Sequence, residues 1–79
     1  MADSMNGHDL WKKIAYDKNN RIQSSETAAL KGVFDAHFDE WKPVTAYQVQ
    51  SFTHALYGLS GWNNSRIYGL EKNIAGYLK

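Results

Sequence analysis

Apolar side chains recur along this chain with helical spacing in four stretches, separated by short polar segments. In the first, Leu10, Trp11, Ile14 and Ala15 fall on one face while Lys12, Lys13 and Asp17 fall on the other. Asn6, three residues ahead of Asp9 and bracketed by Met5 and Leu10, predicts an N-cap with a hydrophobic staple. The polar run Lys18 to Arg21 ends the pattern. A hairpin over residues 14–23 turning at Asn19 and Asn20 is the competing reading, disfavoured because no Asn-Gly or Asp-Gly pair marks a tight turn.

The second stretch is the most periodic. Leu30, Val33, Phe34, His37, Phe38 and Trp41 form a stripe wide enough to face two neighbours, with Ser24 or Ser25 as the expected cap and Glu26 in the first turn. Pro43 ends it, since the residue before a proline is pushed out of the helical region. Thr45 and Gln48 then make a capping box, with Val44 and Val49 as its staple. The third helix should bury Val49, Phe52, Thr53 and Leu56 and turn Tyr47, Gln48, Gln50, Ser51 and His54 outward.

Gly58 or Gly61 can close that helix, and Trp62, Asn63 and Ile67 repeat the staple-and-cap arrangement. The fourth helix should bury Ile67, Leu70, Ile74 and one of Tyr77 or Leu78, leaving Asn64, Ser65, Arg66, Tyr68, Gly69, Lys72, Asn73 and Gly76 outside. The expected fold is all-α: a compact single-domain bundle of about four short helices over residues 6–79, with residues 1–5 loose. Its expected core is Trp11, Ile14, Leu30, Val33, Phe34, Phe38, Phe52, Leu56, Ile67, Leu70 and Ile74.

Composition narrows the chemistry. The 79 residues suffice for one domain, and 43% hydrophobic with 14% aromatic content supplies a core. With no cysteine there is neither a disulfide nor a thiolate zinc site, and no apolar run has the length of a signal or a membrane span, so a cytoplasmic protein is expected. His8, His37 and His54 lie on different elements without metal-ligand spacing. His37, a helical turn from Glu40 and near Asp35 and Asp39, reads as a half-buried histidine beside a solvated acidic face. No nucleophile elbow or phosphate loop occurs. The expectation is a non-enzymatic binding protein without metal or cofactor.

The net charge of +1 is unevenly placed. Residues 1–44 hold six bases and seven acids, whereas residues 45–79 hold Arg66, Lys72 and Lys79 against Glu71 alone. A face without acids from residue 41 to residue 70 does not repel a polyanion. Over residues 45–79 the pair of helices resembles the helix-turn-helix group, with Gly61 in the turn and Ile67 and Leu70 inward, although the connection from Tyr57 to Trp62 is longer than the group's tight turn. The resemblance implies that the fourth helix enters the major groove of duplex DNA. Asn63, Asn64, Ser65 and Arg66 would then meet base edges and phosphates, and Gln50, Tyr68 and Lys72 the backbone.

The alternative function is a protein-interaction module, such as a small regulator or inhibitor of the kind mobile elements encode, that covers a partner protein's surface. Eight Trp and Tyr side chains, Trp62 and Tyr68 among them, supply the amphipathic rings that anchor such interfaces. Either reading accommodates a homodimer.

Overall fold

The computed structural model describes residues 5–79, so the looseness expected of residues 1–4 falls outside the described residues. Four α-helices, α1 (Gly7–Tyr16), α2 (Thr27–His37), α3 (Ala46–Ala55) and α4 (Asn64–Tyr77), are joined by loops that contain short 3₁₀ turns at Lys18–Asn20, Ser24–Glu26 and Leu56–Gly58. Among the described residues there is no strand, only an isolated bridge between Asn6 and Pro43. The all-α bundle expected from the pattern is the fold.

Three helix starts are decided by local chemistry. The Asn6 side chain accepts from the Asp9 N–H at 2.8 Å, and the Asn63 side chain accepts from the Arg66 N–H at 2.8 Å. Thr45 and Gln48 form the full capping box: the Gln48 N–H donates to Thr45 Oγ1 (3.2 Å) and the Thr45 N–H to Gln48 Oε1 (2.9 Å). The start of α2 departs from expectation. Neither Ser24 nor Ser25 caps it; the Glu26 carboxylate accepts the Gln23 N–H at 2.7 Å, and a 3₁₀ turn leads into the helix. The competing hairpin is replaced by the 3₁₀ turn at Lys18–Asn20.

The core is built around Phe34. Its ring stacks on Phe38 (4.4 Å between centroids), meets Phe52 edge-on (5.5 Å) and is covered on the α1 side by Trp11 (5.3 Å). Leu10, Ile14, Leu30, Val49, Leu56, Trp62, Ile67, Leu70 and Ile74 complete it. Trp11 and Val33, expected in the core, are only partly buried against it. Leu10 and Trp62 are buried beyond expectation.

The largest correction concerns Trp41. The helix stops at His37, Phe38 turns extended (φ −128°, ψ 146°), and Trp41 leaves the stripe to lie 68% exposed against the His8 ring at 4.8 Å. The segment after Phe38 pairs its backbone with the start of α1. The His8 N–H donates to the Glu40 carbonyl (2.8 Å), and the Val44 N–H donates to the Met5 carbonyl (2.8 Å), which fixes Met5 as well. One donor that the first turn of α1 would otherwise leave without a partner is thereby satisfied.

Gly7 makes this crossing possible, because a Cβ there would lie 2.3 Å from the Asp39 carbonyl oxygen. Gly7→Ala should therefore destabilise the protein by about 1–3 kcal/mol through overpacking. Gly32→Ala, on the exposed face of α2 with nothing within 4 Å of the new methyl, should stabilise by roughly 0.5–1 kcal/mol through helix propensity. Chemical denaturation midpoints of the two variants should shift in opposite directions.

Candidate functional site

The fourth helix begins beneath a bracket of hydrogen bonds centred on Arg66. Its guanidinium meets Glu26 two-pronged, Nη1 donating to Oε1 at 3.0 Å and Nη2 to Oε2 at 2.6 Å. Nη1 also donates to the Gly61 carbonyl (3.1 Å) and Nη2 to the Arg21 carbonyl (3.0 Å). The plane lies 3.8 Å over the Trp62 ring, which is itself 5% exposed. The sequence places Arg66 outward toward DNA and offers Trp62 as one of the rings that could anchor a partner. Both are instead committed to the fold, because the carboxylate of Glu26 and two backbone carbonyls surround the one side chain able to satisfy all three.

Behind this bracket, α4 is tied to the end of α1. The Asn20 amide, 6% exposed, donates to the Ile14 carbonyl (2.9 Å) and to the Tyr77 hydroxyl (3.1 Å), and accepts from Asn73 Nδ2 at 2.7 Å. The Tyr77 hydroxyl donates in turn to the Asp17 carboxylate. No buried side-chain polar atom among the described residues lacks a partner.

Between the 3₁₀ turn at Lys18–Asn20 and α4 runs an open groove of about 590 Å³. Four of the residues expected from sequence to bind, Asn63, Ser65, Arg66 and Lys72, line it. Asn19, Asn20, Arg21, Gly69, Leu70 and Asn73 also line it, and among the described residues the lining holds three bases and no acid. Asn64 and Tyr68 are exposed on α4 outside the groove, with Lys72 Nζ 5.0 Å from the Tyr68 ring, and Gln50 is exposed on α3.

Arg21, Asn19 and Asn73 were not anticipated as part of a site. The signal available was the run Asn19-Asn20-Arg21, which reads as a simple helix terminator until the fold lays it beside α4. A Cβ added at Gly69 or Gly76 would meet nothing within 4 Å, so these glycines do not admit a neighbouring helix. Gly69 instead leaves the groove wall bare.

A smaller recess of about 250 Å³ lies at the other end of α1, where Trp11 and Phe34 are flanked by the His8–Glu40 pair (3.5 Å) and the Lys31–Asp35 pair (3.1 Å). His37 does not share a helix with Glu40; its Nδ1 lies 3.0 Å from the Val33 carbonyl. No group of three His, Cys, Asp or Glu side chains among the described residues is disposed to hold a metal ion. No helix there is long and apolar enough to cross a membrane. No protein-family model, curated protein or solved structure matches the chain.

Two titrations report on the tethers. The hydrogen bonds from Arg66 hold the Glu26 carboxyl below the ordinary carboxylate range. A depressed folded pKa stabilises the protein above the ordinary carboxylate range, and that contribution is lost as pH falls through the folded value. Glu26→Gln should accordingly cost about 1–3 kcal/mol near neutrality and show a shallower acid limb than the wild type in denaturation followed against pH.

Burial, and then the bond to Asp17, push the Tyr77 hydroxyl up to about 12. The raised value stabilises the fold below the ordinary phenol pKa and is lost as pH rises through the folded one. An alkaline absorbance titration should show a late-ionising phenol, and Tyr77→Phe should remove that step.

Proposed function

We propose that the protein is a small DNA-binding regulator, which meets duplex DNA with α4 and the groove beside it. The observation that carries this reading is the acid-free lining of the groove, where Arg21 and Lys72 stand with the amides of Asn19 and Asn63 and the hydroxyl of Ser65. Asn64 and Ser65, exposed at the first turn of α4, are the side chains of the right chemistry for base edges, since an amide pairs with adenine in the major groove. Arg66 is neutralised by Glu26, so the reading assigns it no base contact.

Fluorescence anisotropy with a random duplex across a salt series tests this. Affinity should fall steeply with salt, and Lys72→Ala should lower the slope of log K against log salt by about one, equally for all sequences. Asn64→Ala should weaken only the preferred sequence, by roughly 1–3 kcal/mol.

A second reading, a module that covers a partner protein's surface or pairs with another copy of itself, is favoured by a separate observation. Tyr16, Trp41, Tyr47, Tyr57 and Tyr68 are each more than half exposed, and exposed Trp and Tyr are the usual anchors of protein interfaces. A protein that binds no duplex even at low salt would leave that reading in place of the first.

A further inference from the structure

We infer that Arg21, and not Arg66, supplies the guanidinium that meets a DNA phosphate in the groove, and that the Arg66–Glu26 pair positions it. The inference rests on the DNA-binding reading above and assigns the contact within it. Arg21 is the one non-glycine residue among the described residues with a left-handed backbone (φ 53°, ψ 41°), a conformation that side-chain-bearing residues rarely adopt without a partner holding them there. Two hydrogen bonds hold it. Its N–H donates to the Lys18 carbonyl (3.1 Å), and its own carbonyl accepts from Arg66 Nη2 (3.0 Å).

With the backbone pinned, the side chain stands exposed at the groove wall, and no carboxylate within ion-pair distance neutralises it among the described residues. Lys72 lines the same groove and is likewise without an acidic partner there. Two cations without an acidic partner thus line one groove, and an anion that enters it meets the field of both. A phosphodiester suits the combination: the Arg fork grips two oxygens while the Lys ammonium acts as a point charge. Gly69, with open space where its Cβ would be, leaves the approach to the backbone clear. Arg66 is excluded from this role because both its terminal nitrogens already donate twice and its charge is matched by Glu26.

The test is Arg21→Gly, since glycine accepts the left-handed backbone while the guanidinium is removed together with its stem. Its circular dichroism and melting should match or exceed those of the wild type. Binding to a random duplex at low salt should weaken roughly tenfold, with the salt slope lowered by about one. Arg21→Lys should restore the slope without restoring the full affinity, because charge returns without the fork. Arg21→Gln, which keeps the stem, gives the same readout of charge should the glycine variant melt early. As a positioning pair, Arg66 and Glu26 changed together to Met and Gln, so that no unmatched charge is left, should weaken binding in the wild-type background and leave affinity and slope unchanged in the Arg21→Gly background. Wild-type binding with an undiminished slope in both Arg21→Gly and Arg21→Gln overturns this assignment and leaves the DNA reading standing. A wild-type protein that binds no duplex overturns both.

Discussion

The guanidinium of Arg66 is the point on which the second half of the molecule hangs. Three pieces of chain converge on it: the loop at Arg21, the carboxylate of Glu26 ahead of α2, and the turn at Gly61 and Trp62, which offers it a carbonyl and a ring. Only a planar fork with several donors can serve a carboxylate and two carbonyls at once, which is why lysine could not replace it. The pair is about one-fifth exposed on each side, dry enough for the charge-assisted bonds to matter and wet enough to avoid the full desolvation cost of a buried pair. The left-handed turn at Gly61 (φ 89°), whose carbonyl the guanidinium holds, lets the chain reverse into the Asn63 cap.

Electrostatics divide the bases of the groove into two kinds. Arg66 belongs to the architecture, and its charge is matched inside the protein. Among the described residues no carboxylate lies within ion-pair distance of Arg21 or Lys72, so the field at the groove is set by two side chains from segments far apart in sequence. A net charge of +1 therefore understates what an approaching polyanion meets at this one face.

What the sequence could disclose follows from range. Caps act over three residues, so Asn6, Thr45 with Gln48, and Asn63 were all legible, as was the inward stripe of Leu30, Phe34 and Phe38. Trp41 was misread because a helical period says where a stripe points and not where the helix stops. Its end was decided by backbone pairing between residues 39–44 and the start of α1, a contact that no local pattern encodes. The outward placement of Arg66, and the reading of Asn20 as part of a run that merely ends a helix, fail for the same reason: their partners Glu26 and Tyr77 lie 40 and 57 residues away. Of the candidate site, the α4 half was visible in sequence, and the half contributed by Asn19, Asn20 and Arg21 emerged only when the fold brought it alongside.

The tether between Tyr77 and Asp17 joins positions 60 residues apart, and through Asn20 it also reaches the last turn of α1 at Ile14. During synthesis, α1 leaves the ribosome long before α4, the helix that covers one side of it. Until then Leu10 and Ile14, both wholly enclosed in the finished protein, lack part of their cover. The first helix to be made is thus among the last to be sealed, and the order of translation runs against the order in which this core can close.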